Sequence, residues 1–93
     1  MPADLNEKTR KYEDMLKRAL EKAKYAPIPM SHMYRVAEDY YTMAEAYYKD
    51  GIYLWNNNDP VNALASFSYG HAWLDAGAKL GVFTVDDETL FTI

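Results

Sequence analysis

Two short interruptions constrain this chain more than any other feature. Pro27-Ile28-Pro29 and Asn56-Asn57-Asn58-Asp59-Pro60 divide its 93 residues into three segments. Proline lacks an amide hydrogen and biases the residue before it away from the helical region, so the first break ends any helix that reaches it. The asparagine run is turn chemistry. Asp59 followed by Pro60 is a helix start, a capping side chain and then proline at the first helical position. What lies between the breaks has apolar residues at three- and four-residue steps, the spacing of helices.

The first helix is predicted over 5–26. Asp4 caps it, with Glu7 as the capping-box partner, and Leu16, Ala19 and Ala23 mark its apolar stripe. The second is predicted over 31–57 behind Ser31 as cap. Its core stripe includes Ala37, Tyr40, Ala44, Tyr47 and Gly51, and a second row, Tyr34, Tyr41, Tyr48 and Trp55, runs beside it at seven-residue spacing. So wide an apolar surface fits a helix with two neighbours. Gly51 costs a helix interior about 1 kcal/mol relative to alanine; close approach of another helix is the expected reason, a kink the alternative. The third helix is predicted over 60–80, stopped by Gly81. The tail, 82–93, carries Phe83, Leu90, Phe91 and Ile93, and is expected to fold back over one end. Three helices with short links give an all-α fold, an antiparallel up-down-up three-helix bundle, in a single domain over 1–93.

Composition narrows the function classes. There is no cysteine, which excludes disulfides, thiolate metal sites and a cysteine nucleophile and suits a reducing cytoplasm, the expected location. No apolar run reaches the roughly 20 residues of a membrane span. The net charge is −4 and the pI about 5.0, without the basic stripe that marks a nucleic-acid binder. Nucleic-acid binding through Lys8, Lys11, Arg18 and Lys22 of the first helix therefore ranks last among the readings.

The stretch Ser68-Tyr69-Gly70-His71-Ala72-Trp73-Leu74-Asp75-Ala76-Gly77 is the densest in chemistry. Ala63, Gly70 and Gly77 recur every seven residues, a groove of small side chains expected to seat the tyrosine rows of the second helix. His71 lies one turn before Asp75, which can hydrogen-bond its imidazole. As a site, the pair reads as a general base oriented by a carboxylate, or as a small-ligand contact; as structure, it reads as a polar network at the core edge. No nucleophile accompanies it. No phosphate loop, no dinucleotide fingerprint and no Glu-x-x-His pair occurs. No cofactor, metal or catalytic residue is expected.

The run Asp59, Asn62-Ala63-Leu64, Ser68-Tyr69, His71, Trp73-Leu74-Asp75-Ala76-Gly77, Leu80-Gly81 and Leu90-Phe91-Thr92 resembles the family DUF357, short archaeal proteins without assigned activity; the upstream "EDYYTMAEAYYKDG" is similar to it as well. The resemblance implies a three-helix bundle and an archaeal source, and no activity. A weaker resemblance, to one tetratricopeptide helix pair, rests on Gly51, Ala63 and Phe67. The reading that ranks first is a non-enzymatic module that contacts another protein or a second copy of itself. Tyr34, Tyr41, Tyr48 and Trp55 are its candidate surface; His71 and Asp75 are the candidates for a ligand site or polar network.

Overall fold

A computed structural model of the chain describes residues 4–85 and 90–91. Three helices dominate it: α1 (Leu5–Lys22), α2 (His32–Asn56) and α3 (Pro60–Leu80). Each begins on the cap its sequence offers. Asp4 accepts from the Glu7 amide at 2.9 Å, Ser31 from that of Tyr34 at 3.1 Å, and Asp59 from that of Asn62 at 3.2 Å. Each satisfies one of the donors that a helix start leaves without an internal partner.

The helix ends are equally local. At α3, Gly81 is left-handed (φ 89°), and the amides of Val82 and Gly81 return to the carbonyls of Gly77 and Ala78. This is the Schellman closure. Asn58 (φ 61°) does the same after α2, with Asp59 and Asn58 bonding back to Leu54 and Trp55; asparagine is one of few non-glycine residues that tolerate that region.

α1 stops at Lys22, four residues short of the predicted end. Lys24–Tyr25 forms a two-residue strand, β1, antiparallel to β2 (Phe83–Thr84), and the Ala26 amide donates to the Val82 carbonyl at 2.9 Å. Proline at 27 would have allowed the helix to run further. Tertiary pairing with the returning chain takes those backbone groups first.

α2 runs antiparallel to α1, with Tyr41 at Leu20 and Trp55 at Arg10, and to α3, with Tyr40 at Trp73 and Gly51 at Phe67; α3 packs against both. The buried row of α2 is all small: Ala37, Ala44 and Gly51. α3 can therefore sit close, and Phe67, fully buried, lies on Gly51. The groove on α3 is filled differently from expectation. Gly70 meets Leu16 of α1 together with the backbone and Cβ of α2 at Ala44 and Tyr47, and Gly77 meets Phe83 of β2. At neither glycine is a tyrosine ring the nearest neighbour. A ring pressed into a glycine groove would bury its hydroxyl without a partner, whereas leucine and phenylalanine bring no polar atom to satisfy. The tyrosines of α2 instead straddle its small row. Gly51 lies within uninterrupted helix and marks close approach.

The returning chain extends this core. Val82, Phe83, Leu90 and Phe91 are buried with Leu16, Ala19, Phe67 and Leu74. Thr92 and Ile93 lie outside the described residues.

Candidate functional site

His71 sits just past the middle of α3, on the flank away from Tyr69. Its side chain is partly buried and its Nε2–H donates to the backbone carbonyl of Leu90. That proton assignment follows from the partner, since a carbonyl can only accept. Asp75 Oδ1 stands 3.8 Å from the same nitrogen, too far for a hydrogen bond. The imidazole is thus engaged first by the tail, and the ring of Phe91 lies 6.3 Å from it. His32, the other histidine, is exposed at the start of α2. Among the described residues no group of three His, Asp or Glu side chains is placed to hold a metal ion.

Tyr34, Tyr41, Tyr48 and Trp55 are each half-buried and follow the α1 side of α2. The Tyr41 hydroxyl donates to the Leu20 carbonyl at 2.8 Å, and Arg10 of α1 lies over Trp55 at 5.4 Å. Tyr48 packs on Phe67, and Tyr25 meets Tyr34 edge-on at 5.1 Å. Burial raises the phenol pKa of both Tyr41 and Tyr25. Glu45 and Glu21 add to it at Tyr41, and Glu38 is the foremost carboxylate at Tyr25.

The other side of the α2–α3 pair, opposite α1, carries a second aromatic group. Tyr40 meets Trp73 edge-on at 5.0 Å, and Tyr47 stacks on Tyr69 at 5.7 Å. Ala72 and Ala76 complete a shallow, mostly apolar depression of about 310 Å³ with Tyr40, Tyr69 and Trp73. Tyr69 is 63% exposed, and Met43 and Leu80 lie exposed on the same side. Val36, Tyr40, Met43 and Tyr47 fall at alternating four- and three-residue steps along α2, and so do Tyr69, Trp73, Ala76 and Leu80 along α3. Two such strips side by side have the spacing of a seat for a further helix. Periodicity along α2 singles out the row beside it, Tyr34, Tyr41, Tyr48 and Trp55. The signal was present in the spacing, but it merged with the core stripe because Tyr40 and Tyr47 belong to both.

On α1, Lys8, Lys11, Arg18 and Lys22 are exposed. They alternate with acids rather than forming a basic stripe; Arg18 lies 3.7 Å from Asp14.

No helix among the described residues is long and apolar enough to cross a membrane. No curated protein and no solved structure matches the chain. The description of the family whose model matches is "Protein of unknown function (DUF357)"; the match covers residues 11–83, from the first turns of α1 to β2, and stops short of the Leu90-Phe91-Thr92 run. A match over most of the chain, spanning all three helices, makes this protein a member of the DUF357 family.

Proposed function

We propose that this chain is a non-enzymatic protein–protein interaction module, and that it docks an amphipathic helix of another protein in the groove between α2 and α3, opposite α1. One observation carries the reading: the paired aromatic strips of Tyr40, Tyr47, Tyr69 and Trp73, which leave an apolar depression open on a side that α1 does not reach. Contiguous exposed apolar surface of this kind marks a contact site, and tyrosine and tryptophan are its usual anchors. An amphipathic helix laid in a groove meets it through residues one helical turn apart. The small Ala72 and Ala76 leave room for its larger side chains.

The test pairs Tyr69→Glu/Ala76→Glu with the α1 variant Lys11→Glu in affinity capture from a native extract. Both targeted sites are exposed, and circular dichroism checks that the helices remain. A partner held by wild type and Lys11→Glu but lost from the double variant supports the proposal. Partners lost equally from all variants, or from none, reject it. Sedimentation at several concentrations reports whether the partner is a second copy of the chain.

A further inference from the structure

The link between α1 and α2 carries a strained residue with no packing to account for it. The Ser31 amide donates to the Ile28 carbonyl at 3.1 Å, which closes a turn with Pro29 and Met30 at its centre. Met30 stands there at φ 69°, in the left-handed region that glycine or asparagine usually supplies after a turn proline. A methionine held in that region costs about 1–2 kcal/mol, and its side chain, 93% exposed, offsets none of this by burial. Strain of this kind is concentrated at functional positions. His32 and Met33 follow at once, and both are exposed. We propose that Met30, His32 and Met33 form a binding site for one soft univalent cation, Cu(I), held by two thioether sulfurs and one imidazole nitrogen.

The donor set selects the metal. Thioether and imidazole are neutral, polarisable ligands that suit Cu(I), whereas magnesium and calcium take oxygen. The chain has no cysteine to compete for a soft ion. Charge points the same way. The site lies at the start of α2, with Arg35 three residues beyond His32, and a helix start opposes a cation by about 0.3–1 kcal/mol. A single positive charge meets half the opposition that a divalent ion would. The backbone beneath the donors is pinned by Ser31, whose hydroxyl donates to the Ile28 carbonyl at 2.6 Å and accepts from the Tyr34 amide at 3.1 Å. Met30 and Met33 are separated by three Cα steps of about 3.8 Å each at most. Two side chains with three rotatable bonds apiece close that span on one ion. Among the described residues no hydrogen bond or ion pair engages the His32 ring, and a neutral imidazole offers one nitrogen lone pair to a metal. The site shares no residue with the α2–α3 groove and stands whatever binds there.

The experiment titrates the full chain with Ag(I), a redox-inert stand-in of the same charge and softness, as silver nitrate in chloride-free buffer. A second titration uses Cu(I), supplied without oxygen as its acetonitrile complex. Methionine methyl and histidine ring NMR signals report the ligands. Met43, 37% exposed against 38% for Met33, controls for thioether exposure alone, and the partly buried His71 controls for the imidazole. Both ions should move Met30, Met33 and His32 together, saturating at one equivalent, and leave Met43 and His71 in place. Met30→Leu/Met33→Leu changes only exposed positions, so its circular dichroism should match wild type. It should bind at least about tenfold more weakly, the loss that follows when a metal site loses merely a supporting residue. Met43→Leu should bind as wild type does. Equal movement of Met43, no saturable shift, binding of Ag(I) without Cu(I), or a double variant that binds as wild type does overturns the proposal.

Discussion

Phe67 of α3 lies where Gly51 of α2 would carry a side chain: a Cβ built on Gly51 would stand 2.3 Å from Cε1 of the ring. Phe67 is fully buried and cannot swing aside into water. Gly51→Ala therefore sets two effects against each other. Helix propensity gains about 1 kcal/mol, while forcing a methyl into a packed core costs about 1–3 kcal/mol or more. The overlap is deep and falls on a rigid ring, so the cost should win. Urea unfolding should show a net loss of about 1–2 kcal/mol, and Phe67→Leu in the same chain should recover part of it. A stabilised Gly51→Ala protein would contradict this packing.

Gly81 and Asn58 occupy the same left-handed backbone region and predict opposite results. Gly81→Ala meets no neighbour within 4 Å, so its effect is conformational alone. It should cost about 1–2 kcal/mol. Asn58→Gly should be neutral or stabilising by less than about 1 kcal/mol. Thermal melts of the two variants, run side by side, test the sign of each.

Thr9 is fully buried, and its hydroxyl donates to the Leu5 carbonyl at 2.7 Å and reaches that of Pro60 at 3.3 Å. It is the polar link between the starts of α1 and α3. Thr9→Val keeps the shape and removes the donor. The expected loss is about 1 kcal/mol, read by chemical denaturation. A threonine that served only as filler would tolerate valine without loss.

Tyr41 and Tyr25 set an alkaline limit. Both phenols have pKa values raised above the ordinary 10.0, by burial first and by neighbouring carboxylates second. The unfolded chain deprotonates near 10 while the folded chain resists, so this contribution is fully present below pH 10 and is lost as pH climbs through the raised values. Deprotonation also removes the donor that Tyr41 gives to Leu20. Unfolding free energy should fall steeply above pH 10. In Tyr41→Phe the alkaline fall should be shallower, and stability at neutral pH should be lower by about 1 kcal/mol. An unchanged alkaline limb in the variant would assign the effect elsewhere.

The three helices, their caps and the antiparallel order were legible in the chain because they depend on short-range chemistry. Asp4, Ser31 and Asp59 each cap the helix whose start they mark, and Gly81 ends α3, through bonds that span five residues or fewer. The role of Gly51 was legible too, since a glycine inside a strong helix needs a close neighbour to justify it. The partner of His71 was not. Leu90 is 19 residues away in the chain, while Asp75 is one turn away, and sequence spacing favours the nearer group.

By itself, then, the sequence determined where each helix begins, where α2 and α3 end, and that α2 offers a broad aromatic surface, because capping, turn propensity and periodicity act over a few residues. Tertiary structure decided what each face meets. It cut α1 at Lys22 by pairing Lys24–Tyr25 with Phe83–Thr84, and it gave the glycine groove of α3 to Leu16 and Phe83 instead of to tyrosine. It placed Tyr41 and Trp55 beside α1 and left Tyr40, Tyr47, Tyr69 and Trp73 on the open side. Helical period makes adjacent tyrosines point about 100° apart, but which of the two directions holds the neighbour depends on side chains far away in the chain, whose volumes and buried polar groups must fit together at once.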